Sequence, residues 1–331
     1  MKRVSSIDVA KLAGVSQSSV SRVFSPNANV SAEKTQRILA AARQLGYKPN
    51  ALARSLITQS TNLIGVVIAD VASVFYASFL SALTHRLREI GKQVILFNVG
   101  LAESADDVLP TLLSYQVDAL IIAATTLSAD MATDCARNGT PVILFNRSVA
   151  LEQVSSICVD NEAGGRQIAA LMLQKGHKQF AYIAGLASTQ TNQLREKGYD
   201  DRLRQAGVTH ILRGEGDYGY QSGFKAALQL LQRTDRPDAI FCANDPMALG
   251  ALDAAASLGL RVPEDVSVAG FDNVPQAAWH AYQLTTIAQP IEQLLDATLR
   301  ILKERLDDQR HSQPSHELIP GTLIMRGTVR P

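Results

Sequence analysis

The stretch IDVAKLAGVSQSSVSRVF (residues 7–24) has the pattern of two short helices joined by a tight turn. Ser5 or Ser6 can cap the free backbone N–H groups of the first helix, and Gly14 can adopt the left-handed conformation that ends it. Ser16 can then cap the second helix. These signals predict a helix-turn-helix, in which the second helix enters the major groove of DNA.

The exposed face of the predicted second helix carries polar side chains that can contact DNA. Glutamine pairs with adenine, arginine pairs with guanine, and serine contacts a base or a phosphate. A helical hairpin with a solvated polar face would show the same pattern, so both interpretations stay open at this point. The candidate DNA-binding residues of this segment are Ser6, Ser16, Gln17, Ser18, Ser21 and Arg22.

The charge of the chain is unevenly distributed. Residues 1–59 contain nine lysines or arginines against two acidic residues, a net charge of +7, whereas the rest of the chain carries −6. A third helix is predicted from Ala32 to Leu45, capped by Ser31 and closed by Gly46. A small basic helical module attached to a mildly acidic body is typical of a nucleic-acid-binding head.

The spacing of apolar residues changes after about residue 60. Short β-branched runs then alternate with amphipathic stretches, which is typical of parallel α/β sheets with buried strands. The runs are too many for one sheet. We therefore predict an all-α helix-turn-helix head followed by an α/β two-lobed body with two doubly wound parallel sheets. The predicted strands include residues 63–69, 93–99, 118–124, 141–145, 180–185, 238–243 and 265–270.

The first quoted stretch and VSAEKTQRILAAARQLGYKPNALARSL (residues 30–56) closely resemble the head and hinge of the LacI/GalR family of bacterial transcription regulators. In that family, the segment that matches residues 47–56 folds into a hinge helix when two subunits dock on the operator. The resemblance implies that Asn50 and Ala53 lie in this helix, with Ala53 where two hinge helices touch. It also implies that Leu56 is an apolar wedge in the minor groove. The alternative is that Leu56 packs against the body.

The same resemblance implies a periplasmic-binding-protein-like body that closes on a ligand between its lobes. The strings CANDPMALGAL (residues 242–252) and VAGFDNVP (residues 268–275) are typical of the family. Open α/β sheets bind ligands at the carboxyl ends of strands. Asn244 and Asp272 could instead only cap helices, and Phe75 could be interface packing. The candidate ligand-binding residues are Asp70, Phe75, Tyr76, Asn146, Arg147, Thr191, Arg195, Tyr218, Asn244, Asp272 and Gln289.

The resemblance and the strand pattern together predict the division of the chain. Strand-then-helix patterns place three crossings between the lobes, near residues 160, 289 and 320. The predicted parts are a helix-turn-helix domain over 1–48, a hinge helix and linker over 49–60, and an effector-binding and dimerisation domain over 61–331. Within the last, lobe 1 is about 61–160 and 290–320, and lobe 2 is about 161–289 and 321–331.

Motifs for catalysis and cofactor binding are missing from the sequence. It has no GxSxG, HExxH, CxxC or GxxxxGK[ST] string, its strand-to-helix turns lack GxGxxG, and its six histidines are dispersed. We therefore expect neither an enzyme nor a bound metal or cofactor. The three isolated cysteines are typical of buried free thiols in a reducing compartment. Without a long apolar run or a secretory signal, we expect a cytoplasmic, nucleoid-associated protein.

These features predict a DNA-binding transcriptional regulator that binds a pseudo-palindromic operator as a homodimer, and they favour repression as its action. A small-molecule effector would release it from DNA by allostery. Arginine, asparagine, aspartate and glutamine around aromatic rings favour a sugar or sugar-like effector. Two alternatives stay open: the ligand is a corepressor that strengthens DNA binding, or the chain is a solute-binding protein whose head has lost its function.

Overall fold

The computed structural model divides the chain into two units, with the boundary between Leu63 and Ile64. The structure describes residues 4–24, 30–48, 60–69, 71, 73–100, 103–123, 127–147, 153–307 and 313–331.

The described part of the first unit contains the helices α1 (Ser6–Ala13), α2 (Gln17–Val23) and α3 (Ala32–Leu45). Small and β-branched side chains face one another between the helices, so that the helices pack closely around a small apolar core. The buried residues of this core are Val9, Ala10, Ala13, Val20, Ile38, Ala41 and Ala42.

Local capping sets the ends of α1 and α2. Ser5 and Asp8 form a reciprocal capping box at the start of α1, and Gly14 ends that helix with a φ of 64°. The Ser16 hydroxyl accepts a hydrogen bond from the backbone N–H of Ser19 and so caps α2. Ser31 occupies the N-cap position of α3, but its side chain makes no capping hydrogen bond, so the prediction that it caps this helix is wrong.

The first sheet of the second unit forms the core of lobe 1. Its strands are β1 (Leu63–Ile68), β2 (Gln93–Asn98), β3 (Ala119–Ala123), β4 (Val142–Phe145), β5 (Ser155–Val159) and β11 (His316–Ile319). They lie in the order β11-β5-β4-β3-β1-β2, and β1–β3, β3–β4, β4–β5 and β5–β11 are parallel pairs. The helices of this lobe are α4 (Val74–Glu89), α5 (Leu109–Ser114), α6 (Ala129–Arg137) and α11 (Ile291–Asp307).

The second sheet forms the core of lobe 2. Its strands are β6 (Phe180–Ala184), β7 (Ile211–Glu215), β8 (Ala239–Cys242), β9 (Ser267–Asp272), β10 (Thr285–Ala288) and β12 (Thr322–Ile324). They lie in the order β12-β10-β9-β8-β6-β7, and all neighbouring pairs are parallel except that between β10 and the edge strand β12, which is antiparallel. The helices are α7 (Asn161–Gln174), α8 (Gln190–Gln205), α9 (Tyr220–Leu231) and α10 (Asp245–Ser257).

The chain passes between the two sheets three times. It leaves the first sheet after β5 and enters α7, returns after β10 into α11, and crosses again between β11 and β12. Two of these crossings touch, because the backbone N–H of Asp160 donates to the carbonyl of Ile319 at 2.9 Å. The first and the third connections between the lobes therefore lie side by side.

Two glycines bring α7 and α8 into close contact. A Cβ atom at Gly165 would lie 2.1 Å from the carbonyl oxygen of Arg195, and one at Gly198 would lie 2.0 Å from that of Glu162. Only glycine allows this approach of the two backbones. The crossing places Arg195 beside Asn161, at the start of α7, and so prepares one wall of the site described next.

Candidate functional site

A cleft between the lobes collects side chains from the carboxyl ends of both sheets, where open α/β sheets bind ligands. The space between its lining atoms, counted together with open solvent, is about 690 Å³. Of the eleven predicted ligand residues, all but Asp70 line this cleft, and Asp70 lies outside the described residues. Residues that line the cleft but were missed in the sequence are Ala69, Ser73, Ala123, Leu186 and Thr189.

On the lobe 1 side, the first turn of α4 supplies two aromatic rings. Phe75 is buried, and its ring lies 5.3 Å from that of Tyr76 and 6.4 Å from that of Phe145. Phe75 therefore serves the core of the lobe as well as the cleft wall. Burial raises the pKa of the Tyr76 hydroxyl to about 12, against an opposing contact with Asn146, so Tyr76 is neutral at physiological pH.

Asn146 and Arg147 follow β4 on the same side. Asn146 is buried and has a φ of 55°, a left-handed conformation that asparagine tolerates better than most residues. The Cys158 thiol lies 3.7 Å from Asn146 Oδ1. Burial lowers the pKa of the Arg147 guanidinium, although arginine stays charged under all ordinary conditions.

On the lobe 2 side, Arg195 of α8 is only 2% exposed. Its Nε donates to Asn161 Oδ1 at 2.8 Å, and its Nη1 donates to the carbonyl of Ala243 at 2.6 Å. Its Nη2 lies 3.3 Å from Asp272 Oδ1. Burial raises the pKa of Asp272, and Arg195 opposes this shift. Arg195 thus serves first as an internal clamp of lobe 2, with Gln289 donating to the same Asp272 oxygen at 2.7 Å.

Tyr218 covers the cleft from a turn before α9. Its hydroxyl lies 2.6 Å from Thr189 Oγ1, and its carbonyl accepts a hydrogen bond from Asn244 Nδ2 at 2.9 Å. Asn244 also caps α10, because its Oδ1 accepts from the backbone N–H of Met247 at 3.1 Å. Gly185 makes room for the ring, since a Cβ there would lie 2.4 Å from it.

Three residues of the cleft have strained backbones. The φ angles of Asn146, Tyr218 and Asp272 are 55°, 72° and 115°. Such conformations cost about 1–3 kcal/mol each and persist where the surrounding structure enforces them, commonly at ligand sites. Three of the seven non-glycine residues with a positive φ in the described part of the chain line this cleft, which supports it as the candidate binding site of the body.

The head contains the second candidate surface, along α2. Gln17, Ser18 and Arg22 are exposed, and Ser21 is half-buried. Gln17 Nε2 donates to Ser6 Oγ at 3.1 Å, which ties the start of α2 to the start of α1.

Side-chain hydrogen bonds from α3 and from the N-cap residue of α2 stabilise the turn between α1 and α2. Arg37 Nη2 donates to the carbonyl of Ala13 at 2.6 Å. Ser16 Oγ, besides capping α2, lies 2.9 Å from the Ser18 hydroxyl. The predicted hinge residues Asn50, Ala53 and Leu56 lie outside the described residues.

Within the described ranges, no group of three or more His, Cys, Asp or Glu side chains is placed to hold a metal ion. Among the helices of that same part of the chain, none is both long and apolar enough to cross a membrane.

Two family models match parts of this chain. Residues 7–50 match the model of bacterial regulatory proteins of the lacI family, and residues 152–329 match that of the periplasmic binding protein-like domain. Catabolite control protein A of Priestia megaterium is 31% identical over 308 residues, 91% of this chain and 92% of the relative. The transcriptional repressor PurR of Vibrio vulnificus (strain CMCP6) is 30% identical over 329 residues, 98% of both chains.

Solved structures match the chain over nearly its full length. The lac repressor dimer bound to operator and the anti-inducer ONPF is 31% identical, with a TM-score of 0.89 over 99% of both chains. A complex of the transcriptional regulator CelR with cellobiose is 29% identical, with a TM-score of 0.72 over 98% of this chain and all of that one.

A helix-turn-helix head and a two-lobed body of the periplasmic-binding-protein type, matched by both family models, are those of a transcription regulator rather than an enzyme. The chain belongs to the lacI family of bacterial regulatory proteins. The family and the fold class predicted from the sequence are thereby confirmed.

Proposed function

We propose that this protein is a repressor that binds a pseudo-palindromic operator as a homodimer and is released by a small-molecule effector. The observation that carries the proposal is the cleft, because residues from both lobes line it. A ligand held by both lobes favours one angle between them, and this angle would set the pairing of two hinge helices and hence the affinity for DNA. Coupling of this kind is typically worth about 1–3 kcal/mol.

The proposed DNA contacts are those predicted for the head and hinge. Exposed side chains of α2 would contact base edges, and the serines at the helix starts would contact phosphates. In the hinge, Ala53 would lie at the contact of two helices and Leu56 would enter the minor groove. The full set is Ser6, Ser16, Gln17, Ser18, Ser21, Arg22, Asn50, Ala53 and Leu56.

The proposed effector site is the cleft with its ten described candidates and Asp70. The named relatives support the choice of function: one was solved as a dimer on its operator, one is a repressor, and one was solved with cellobiose. Rings that stack on a sugar and polar groups that bind its hydroxyls favour a sugar or sugar-like effector. We place the action of the protein in the cytoplasm, at the nucleoid.

We propose a separate role for each of the three predicted parts of the chain. Residues 1–48 would bind DNA, 49–60 would form the hinge and linker, and 61–331 would bind the effector and dimerise. The two sheets support lobes of about 61–160 with 290–320, and about 161–289 with 321–331.

The test is operator selection from random-sequence DNA with the purified full chain, followed by fluorescence-anisotropy titration of the selected site. We expect a palindromic site, occupied by two chains per DNA, and a metabolite that weakens binding. A metabolite that tightens binding would replace release by corepression. Failure to select any DNA at low salt would contradict the repressor function and favour the solute-binding alternative.

A further inference from the structure

The side chain of Ile7 is exposed at the start of α1. It lies in the first turn of that helix, and 48% of its surface is open to solvent. Among the described residues, the apolar core of the head is built from other side chains of the three helices, so Ile7 is not part of that packing. A single exposed apolar residue is common on protein surfaces. The position of Ile7 relative to α2 therefore decides what it can do.

A hydrogen bond places the residue before Ile7 beside the start of α2. The Nε2 atom of Gln17, the first residue of α2, donates to the Oγ atom of Ser6, the first residue of α1, at 3.1 Å. The first turns of the two helices are therefore neighbours. In a helix-turn-helix on DNA, the start of the second helix contacts base edges, and the first helix crosses the sugar–phosphate backbone. Docked in this way, Ile7 would lie at the rim of the major groove.

The chemistry of Ile7 differs from that of the exposed side chains of α2. Gln17, Ser18 and Arg22 are polar and match hydrogen-bonding groups of the bases. The major groove also presents one apolar group, the C5 methyl group of thymine, and an apolar side chain is its complement. Lys11 follows Ile7 by one helical turn and is also exposed, so that a cation is available for the neighbouring phosphate. This surface of α1 thus offers an apolar contact for a base edge and a charge for the backbone.

We propose that Ile7 reads one thymine in each half-site of the operator by packing against its C5 methyl group. The inference rests on the proposed function, because it concerns the same binding of the head to operator DNA. Removing one methyl group and the facing side chain from water is worth roughly 3- to 10-fold in affinity for each half-site. The other three bases lack this methyl group, so the contact distinguishes T·A from A·T as well as from G·C pairs.

The test removes the methyl group from the DNA and the side chain from the protein. Each thymine of the selected operator is replaced in turn, in both half-sites, by deoxyuridine, which lacks only the C5 methyl group. Full-length wild-type protein and Ile7→Ala are then titrated by fluorescence anisotropy. We expect one position at which deoxyuridine weakens wild-type binding roughly 10- to 100-fold, because both half-sites lose the contact. Ile7→Ala should bind the thymine operator more weakly by a similar factor, and deoxyuridine at that position should have little further effect.

Leu12→Ala is the matched control, since Leu12 is an apolar residue of the same helix and is 47% exposed. It should keep the full deoxyuridine effect, and Ile7→Val should keep part of it. Ile7→Ala should melt at the wild-type temperature, because the side chain lies outside the core of the head. The salt dependence of its operator binding should equal that of the wild type, because no phosphate contact is lost.

Equal deoxyuridine effects in the wild type and Ile7→Ala at every position would overturn the inference, and so would a selected site without a thymine in each half-site. Loss of the effect in Leu12→Ala as well would also overturn it, because the dependence would then not belong to Ile7. Failure to select any operator would contradict the proposed function itself. A selected palindromic operator without the coupling to Ile7 would contradict only the thymine contact.

Discussion

The guanidinium carbon of Arg195 lies 3.7 Å from the centre of the Phe271 ring. Phe271 belongs to β9, whose last residue is Asp272, so one strand supplies both the ring and the carboxylate that hold this cation. A cation over an aromatic face is stabilised further when it is removed from water. The arrangement makes Arg195 a structural member of lobe 2 as well as part of the cleft wall.

Replacing Arg195 by methionine should lower the free energy of unfolding by about 3–5 kcal/mol, because Asp272 would stay buried without its charged partner. Urea denaturation of the ligand-free protein measures the loss. Arg204→Met is the control on the same helix, since Arg204 is exposed and 3.9 Å from Asp200, and it should change the value by less than about 0.5 kcal/mol. Similar losses in both variants would show that Arg195 is not a clamp.

Arg22→Ala should reduce affinity for the selected operator by about 1–3 kcal/mol, because a guanidinium that reads a base edge would be lost. Anisotropy titrations at several salt concentrations measure the change, and the variant should also relax base preference at one position of each half-site. Arg137→Ala, at an exposed position of the body, is the charge-matched control and should bind as the wild type does. A loss that is uniform across all DNA sequences would make Arg22 a phosphate contact instead.

Gly185→Ala should weaken effector binding, because the new methyl group would lie 2.4 Å from the Tyr218 ring and push it away from its place over the cleft. The cost in stability should be about 1–3 kcal/mol, as for other overpacked sites. Calorimetry with the identified effector and a thermal melt separate the two effects. Gly100→Ala is the control, because the nearest atom to its new methyl group would be 3.4 Å away, and it should change neither effector affinity nor stability. Unaltered effector affinity in Gly185→Ala would mean that Tyr218 does not contact the ligand.

Asp245 should make the protein less stable as the pH rises. It is fully buried, and burial, followed by the charge of Asp272, raises its pKa well above the usual value, despite hydrogen bonds from Thr286 and Val274. A carboxyl group with a raised pKa in the fold stabilises it most below its unfolded pKa of about 4, and this contribution is lost as pH rises through the folded pKa. The melting temperature of Asp245→Asn minus that of the wild type should therefore increase between about pH 4 and pH 7.

Asp265 provides the opposite case as a control. Hydrogen bonds from Arg261 lower the pKa of its carboxyl group. Its contribution is present above the unfolded pKa and is lost as pH falls, so the difference for Asp265→Asn should become more negative as pH rises. A difference for Asp245→Asn that follows this same sign would contradict the raised pKa of Asp245.

Much of the fold could be predicted because its signals are local. The continuous apolar runs became β1, β3 and β4, and Gly14 ended α1 as expected. The strand β7 was not predicted, because it lies at an edge of its sheet and its burial alternates. Its five residues supply too few apolar positions to mark a buried strand.

The site was less predictable than the fold. Side chains at strand ends could be chosen by topology, but Leu186 and Thr189 were missed because neither carries a charge or a recognisable motif. The sequence also could not show which side chains lie beside the two cleft arginines. Only tertiary structure shows that Arg195 pairs with Asp272 within lobe 2 while Arg147 lies near the Tyr76 and Tyr218 hydroxyls.

The three crossings between the lobes affect how such a protein can be recombined. Each lobe of the body is assembled from separate segments, with β11 returning to the first sheet and β12 to the second. A single exchange of contiguous sequence with a relative within the body would therefore leave at least one sheet with strands of mixed origin. New effector specificity is better transplanted side chain by side chain, or with the whole second unit, than by joining one lobe to another.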